Sequence, residues 1–411
     1  LNQYNGSTLI SGTACMTAVE RPPLGLATDR RATLGTLILA TSAFLIVTTE
    51  FLMVGLLPGL ARDLDVSISS AGQLITLFAF TVMLAGPPLT AALAHLDRRK
   101  LFAAILALFA AANALAAIAP NIWVLAVARF LPALALPVFW GTASETAARM
   151  VSPDRQGQAV ARVYLGISAA LLLGIPLGTL AANAIGWRGA FWVLAAASAL
   201  MAFAVLAWMP AVARQPKVDF SQQARIFREP IFLANVALSV LVFTAMFIAY
   251  TYLADMLERT AGVATADVGW WLMGFGAIGL LGNWLGGRAV RQSPIKATAL
   301  FLALLGVGMA AFSPLASAPV TLWAALALWG IANTALYPIC QVRVMNAVSH
   351  SQALAGTTNV SAANAGIGLG ALLGGLVIPA FGVSSLGYVA AGVALLALLC
   401  VPGVARLQAR G

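Results

Sequence analysis

Between Arg31 and Arg62 the chain carries a single ionisable side chain, Glu50, inside the stretch TTEFLMVGLLPGLARDL. A second lone charge, Arg129, lies in the apolar run after Asn121. A charge inside a membrane-spanning helix costs about 2.5–3.5 kcal/mol on insertion scales, so each is a candidate for function. At a rise of about 1.5 Å per residue, Glu50 sits about 15 Å below the end of its span near Leu60. Arg129, eight residues after Asn121, sits about 12 Å below the same face. Burial in an apolar site penalises the charged carboxylate, which suits a group that must load and release a proton. Arg129 would then favour the deprotonated form or hold an anionic group of a substrate. Two other readings stay open: a static buried Glu–Arg pair tying two spans together, and direct substrate binding.

Other acidic residues fall nearer the ends of spans. Glu145 is 24 residues past Asn121, about 36 Å along, with Arg149 one turn on in the favourable acid-before-base order. An interfacial ion pair follows. Asp255 and Glu258 reach the other end of their span, where a solvated loop mouth accounts for them unless they gate it. An enzyme using Glu50 and Glu145 as an acid–base pair is excluded by their placement near opposite faces, since both must reach one substrate. The chain is therefore read as not an enzyme.

The elements that hold these residues are apolar helices. Of 411 residues, 61% are hydrophobic and 9% charged, against roughly 25% charged in soluble domains. Runs of ~20 apolar residues, enough to cross a bilayer core of ~30 Å, recur along the chain. A transmembrane barrel would show short alternating strands instead. The expected spans are 33–60, 71–94, 101–119, 121–148, 158–184, 187–209, 231–257, 266–287, 297–315, 319–345, 353–380 and 384–403. The fold class is thus an all-α membrane protein with twelve transmembrane helices.

An even number of spans puts both termini on one side. With that side cytoplasmic, nineteen Lys and Arg residues lie inside, Arg343 among them, and only Arg62, Arg188 and Arg259 lie outside. This positive-inside bias sets the orientation and accounts for the net charge of +10, so no nucleic-acid partner is implied. Cys15, Cys340 and Cys400 show no paired spacing, and His95 and His350 stand apart, so neither a disulfide framework nor a metal site is indicated.

The interval PAVARQPKVDFSQQARIFREP, Pro210 to Pro230, divides the spans six and six. The expected organisation is a cytoplasmic tail at 1–31, a six-helix bundle at 32–210, a linker at 211–230, a second bundle at 231–403 and a tail at 404–411. Span five carries Gly166, Ala170, Gly174 and Gly178; span eleven carries Gly366, Gly370 and Gly374, offset by 200. A spacing of four puts each set on one helix face, where a neighbouring helix can approach closely. The matching positions point to a duplicated architecture, a plan used by transporters.

Several stretches then resemble the major facilitator superfamily. They are TEFLMVGLLPGLARDLDVS, LDRRKL, VFWGTASETAARMVSPDRQGQA and LGIPLGTLAANAIGWRGAFW in the first half, and AYTYLADMLERTAG, LWGIANTAL and NAGIGLGALLGG in the second. The resemblance covers about residues 33–403 and is strongest to the drug/proton antiporter branch, with its bacterial sugar-efflux and purine-nucleoside-efflux transporters. It departs from the superfamily signature at the second loop, where Ala91 replaces a Gly and His95 an Asp. That leaves Asp97 with Arg98, Arg99 and Lys100 as the gating group. In span five Gly174-Ile175-Pro176-Leu177-Gly178 matches the antiporter signature in part.

The resemblance implies export of a small organic solute (sugar, nucleoside or drug) against protons as the coupling ion, without any other cofactor. It also implies a monomer in the bacterial inner membrane. Proton-coupled uptake by the same fold is the alternative. Aromatics with scattered amides suit such a solute, and the cavity candidates are Trp140, Tyr250, Asn333, Tyr337, Gln341 and Asn364. Trp187, Trp192, Trp270 and Trp271 lie near span ends and read as interface anchors. Pro137, Pro176 and Pro338 allow bends, and the glycine stripes allow the halves to pivot about a midplane site.

Overall fold

The computed structural model describes residues 26–93, 95–152, 155–210, 224–348 and 352–408. Of the expected tails and linker, residues 1–25, 211–223 and 409–411 lie outside the described residues. Among the described residues there is no strand. In the first half, α1 is Leu26–Asp63, α2 Ile68–Leu93, α3 Arg98–Ala117 and α4 Ile122–Arg149. Eleven stretches are long and apolar enough to cross a membrane, and the longest, Gln156–Trp208, has 53 residues. At 1.5 Å per residue that is about 80 Å, far beyond a bilayer core of ~30 Å.

Gly186 resolves the excess length. Its φ of 76° and ψ of 159° interrupt Ile175–Trp208, a conformation open to glycine and closed to side chains with a Cβ. Residues 175–185 therefore complete α5, which begins as Gln156–Ala169, and 187–208 form α6. Twelve spans result, as the apolar runs require. The second half holds α7 (Pro230–Tyr250), α8 (Val268–Gln292), α9 (Pro294–Leu315), α10 (Pro319–Met345), α11 (Gln352–Phe381) and α12 (Leu386–Gln408). A turn at Thr251–Tyr252 joins α7 to a short helix, Leu253–Arg259.

Within α5 the turn Ala170–Gly174 is π-helical, and the Ile175 N–H reaches back to the Ala170 carbonyl. The cause is next in sequence. Pro176 has no N–H to give, and its ring presses on the carbonyl one turn back, so a wider turn relieves it.

The duplication shows in the packing. Helix pairs α1–α5, α2–α4 and α3–α6 recur six helices later as α7–α11, α8–α10 and α9–α12. The glycine stripes make the repeat exact in register. A Cβ at Gly166 would overlap the Ala40 carbonyl oxygen, and one at Gly366 would lie 2.6 Å from the Val240 carbonyl oxygen. Gly174 faces Thr48 and Gly374 faces Ile248. Both partners in each contact are thus offset by 200. Gly178 meets Leu52, and Gly370 meets the Thr244 carbonyl.

Two seams join the halves: α2 against α11 and α5 against α8. Thr76 donates to the Gly368 carbonyl across the first at 3.3 Å. On the second, Gly269 lies against Pro176 and Gly276 against the Leu171 carbonyl. Helix ends define two faces. The face at which the described chain begins and ends also receives the α6–α7 connection, and is called here the terminal face; the other is the opposite face.

The structure corrects two expectations at the span ends. Trp192 and Trp270 are exposed, as anchors should be. Trp187 is buried, donating its ring N–H to Asp63 at 3.0 Å, and Trp271 stacks on Trp323 with centroids 4.5 Å apart. A polar partner at the ring edge took Trp187 inward. Arg343, counted above with the loop charges, is buried inside α10. It donates to Ser239 Oγ at 2.9 Å and to Asn235 Oδ1 at 3.4 Å.

Candidate functional site

Glu50 and Arg129 come together on α1 and α4, as their depths imply, but no ion pair joins them among the described residues. Arg129 is 1% exposed and donates to two main-chain carbonyls, Thr49 at 2.7 Å and Glu50 at 2.9 Å. Its guanidinium lies over the Phe78 ring, 4.4 Å from the centroid. A planar fork of donors reaches two successive carbonyls where an ammonium would reach one. On α3, Asn113 donates to Thr49 Oγ1 at 3.2 Å. Three helices thereby meet at Thr49 and Glu50, α4 through the backbone and α3 through the Thr49 hydroxyl. The Glu50 side chain is half-buried, and its carboxylate has no hydrogen bond among the described residues. Arg129 does tie α1 to α4, but through main-chain carbonyls and not through a salt bridge to Glu50, which remains its charge neighbour. The cation holds the main chain, and the acid is left with its proton-accepting oxygens unengaged.

Next to Glu50 an aromatic chain crosses between the halves. Phe51 of α1 meets Phe247 of α7 at 6.0 Å; Phe247 meets Tyr250 at 5.4 Å; Tyr250 stacks on Phe275 of α8 at 5.7 Å. Phe243 packs edge-on against Tyr337 at 5.0 Å. Tyr250, Asn333 and Tyr337 share one pocket with Leu272, Phe275, Gly276 and Thr334, closed from the first half by Leu171 and Ile175. Glu50 is an electrostatic neighbour of Tyr337. The Asn333 Oδ1 atom is buried there without a hydrogen-bond partner among the described residues. The free volume is about 30 Å³, one water's share of liquid. Solute pockets run to several hundred Å³. The halves must part before a solute can occupy this place.

The other cavity candidates lie elsewhere. Gln341 accepts from Asn359 at 2.7 Å and donates to the Gly356 carbonyl at 3.3 Å, joining α10 to α11. Asn364 donates to the Val360 carbonyl one turn back, and its Oδ1 is buried without a hydrogen-bond partner among the described residues. Trp140 stacks on Tyr164 of α5 at 6.0 Å. A buried amide must be satisfied, and for Gln341 a facing helix supplied the partner.

At the terminal face Asp97 is an N-cap, accepting from the Lys100 N–H at 3.0 Å. Its side chain is engaged in capping. The charge link there is Arg98 to Glu145 at 3.4 Å, with Arg149 also on Glu145 at 3.0 Å. The Glu145–Arg149 pair thus stands as expected and gains Arg98. Arg99 is half-buried. Sequence reasoning missed Asn113, although it is the one polar side chain in the run from Leu101 to Ala119.

Comparison with known proteins decides the family. The sequence description of the Major Facilitator Superfamily matches residues 39–363. The chain belongs to the Major Facilitator Superfamily. It is 36% identical over 373 residues to the inner membrane transport protein YdhP of Escherichia coli O157:H7, covering 90% of this chain and 96% of that one. It is 30% identical to a probable sugar efflux transporter of Mannheimia succiniciproducens over 86% and 89% of the two chains. Among solved structures, a bacterial homolog of the human lysosomal transporter Spinster, in an inward-facing and occupied conformation, superposes with TM-score 0.77. That superposition covers 92% of this chain and 97% of that one, at 15% identity, and shows the shared fold. The protein is accordingly a multi-pass membrane transporter with a small-molecule substrate, and not an enzyme.

In this member of the superfamily the halves are latched at the opposite face. Arg62, near the end of α1, pairs with Glu258 at 2.9 Å, and Asn183 of α5 donates to the Thr265 carbonyl at 3.0 Å. Glu258 is thus a cross-half partner and not only a solvated loop charge. In a background lacking the native cysteines, a cysteine pair at Asn183 and Thr265 should cross-link readily. Arg62→Glu should slow that cross-link by about fivefold, the scale of ~1 kcal/mol for an exposed pair. Adding Glu258→Arg should restore it; an unchanged rate in the single variant would show that the pair bears no load.

Proposed function

We infer that this transporter exports a small organic solute across the bacterial inner membrane in exchange for protons, by alternating access about the pocket at Tyr250, Asn333 and Tyr337. The observation that carries the reading is the Glu50 carboxylate. It has no hydrogen bond among the described residues, sits where Arg129 holds the backbone and Asn113 the Thr49 hydroxyl, and lies beside an aromatic pocket that both halves line. Protonation and solute occupancy can compete there for the same small space, which is the requirement for exchange. The name of the sugar-efflux relative supports export of a sugar or sugar-like solute, and nucleosides and amphiphilic drugs have the same mixture of ring faces and hydroxyls. The basic residues gathered at the terminal face support a cytoplasmic position for both termini.

The test uses inverted vesicles energised to acid inside and a fluorescent pH probe, with sugars, nucleosides and drugs added in turn. Proton release on adding one class gives the substrate class and antiport together. Alkaline-driven accumulation on the other side, or proton uptake with the solute, would establish uptake instead.

A further inference from the structure

The α5–α8 seam is closed over Gly269 and Gly276, but α8 runs on past it to Gln292 at the terminal face. Along that last stretch lies a groove of about 490 Å³ lined by Asn283, Trp284, Gly287, Arg288, Arg291 and Gln292. Its lining holds two guanidiniums, two amides and an indole, and no carboxylate. Neither arginine is in an ion pair among the described residues. The Arg288 guanidinium lies 5.0 Å from the centroid of the Trp284 ring, which is itself exposed. About one turn deeper than Trp284, Leu280 and Leu281 are also exposed on this membrane-spanning helix.

We propose that this groove binds the headgroup of an anionic phospholipid in the leaflet at the terminal face. The order of side chains along α8 matches the order of groups along a lipid. Leu280 and Leu281 lie at acyl depth. Trp284 sits at the glycerol level, where amphipathic rings prefer to be. Arg288 and Arg291, about 12–16 Å beyond the leucines, reach the phosphate. Arginine suits the last role, since its fork matches phosphate oxygens in pairs, and Gln292, next to Arg291, can donate to a remaining oxygen. Two exposed cations with no ion pair among the described residues are a standing attraction for an anion, and basic pockets on this side of membrane helices are of the type that hold acidic headgroups. The proposal does not depend on the direction or the coupling of transport. It adds a lipid site at the edge of the seam that must open, so that headgroup composition would bias how α8 meets α5.

The experiment is native mass spectrometry of the full chain carrying bound lipid, with phosphatidylglycerol and phosphatidylcholine offered at equal concentration. The wild type should retain phosphatidylglycerol preferentially, by roughly fivefold per arginine and so about 25-fold for two. Arg288→Gln with Arg291→Gln should bring the two lipids near parity, and the double Lys variant should keep most of the preference. Parity in the wild type, or an undiminished preference in the Gln pair, would overturn the site. Release of the lipid by millimolar inorganic phosphate would reassign the groove to a soluble anion. Should the Gln pair not fold, quenching by brominated lipid decides, read as wild type minus Trp284→Phe. Brominated phosphatidylglycerol should quench the Trp284 component more strongly than brominated phosphatidylcholine, and equal quenching would sink the proposal.

Discussion

Glu50→Gln should uncouple the transporter while leaving it folded and able to bind its solute. Gln keeps the shape of the side chain and removes only the exchangeable proton. Because no hydrogen bond engages the carboxylate among the described residues, the only structural loss with the charge is its attraction to the nearby Arg129. Solute flux driven by a proton gradient is expected to fall by about tenfold or more, the scale of effect for a functional charge inside a membrane. Solute-for-solute exchange without a gradient should persist. Gradient-driven flux within a factor of two of wild type would return Glu50 to a passive role. Arg129→Ala should behave differently. Its two bonds to the Thr49 and Glu50 carbonyls join α4 to α1, and charged hydrogen bonds contribute roughly 1.5–3 kcal/mol each. Its loss should lower thermal stability and exchange together, a signature that Glu50→Gln should not show.

The second large effect is expected at the glycine contact between α7 and α11 inside the second half. A Cβ at Gly366 would lie 2.5 Å from the Phe243 Cβ and 2.6 Å from the Val240 carbonyl oxygen. Backbone cannot retreat as a side-chain tip can, so α7 and α11 would have to separate. Gly366→Ala is expected to destabilise by about 1–3 kcal/mol or more, as overpacking does. Gly392→Ala on α12 is the control, because a Cβ there meets nothing within 4 Å. It should be neutral or gain up to ~1 kcal/mol from helix propensity. Melting temperatures of the two variants in one detergent give the comparison, and equal values would show that the α7–α11 contact tolerates an added methyl.

What could be read from the sequence follows the range of the physics involved. The spans were legible because one helix must cover the bilayer with its own residues. Glu50 and Arg129 were legible as neighbours because depth follows from counting along each helix. The glycine seam was legible because its period is local, although the offset of 200 in the facing helices, Ala40 with Val240 and Thr48 with Ile248, was not. Partners across helices were beyond reach. Gln341 and Asn359 are 18 residues apart and Arg62 and Glu258 are 196 apart, and no spacing rule connects them. Tyr250, Asn333 and Tyr337 were chosen for their type and do gather in one pocket. Trp140 was chosen on the same grounds and lies outside it, because residue type does not report which way a helix is turned. Asp97 was assigned a gate by resemblance, but the turn before α3 needed a cap.

Arg129 also bears on how a protonation event can become movement. Two side chains that pair with each other let go when one is neutralised, and the release itself is the motion. Here the cation grips main chain, so its two hydrogen bonds to α1 do not need the Glu50 carboxylate, although the two charges still attract. α1 and α4 therefore behave as a single stiff lever, with the acid mounted on it. Torque has to arise where that lever meets the second half, at the rings of Phe51 and Phe247, and the first half should turn as one piece when it does.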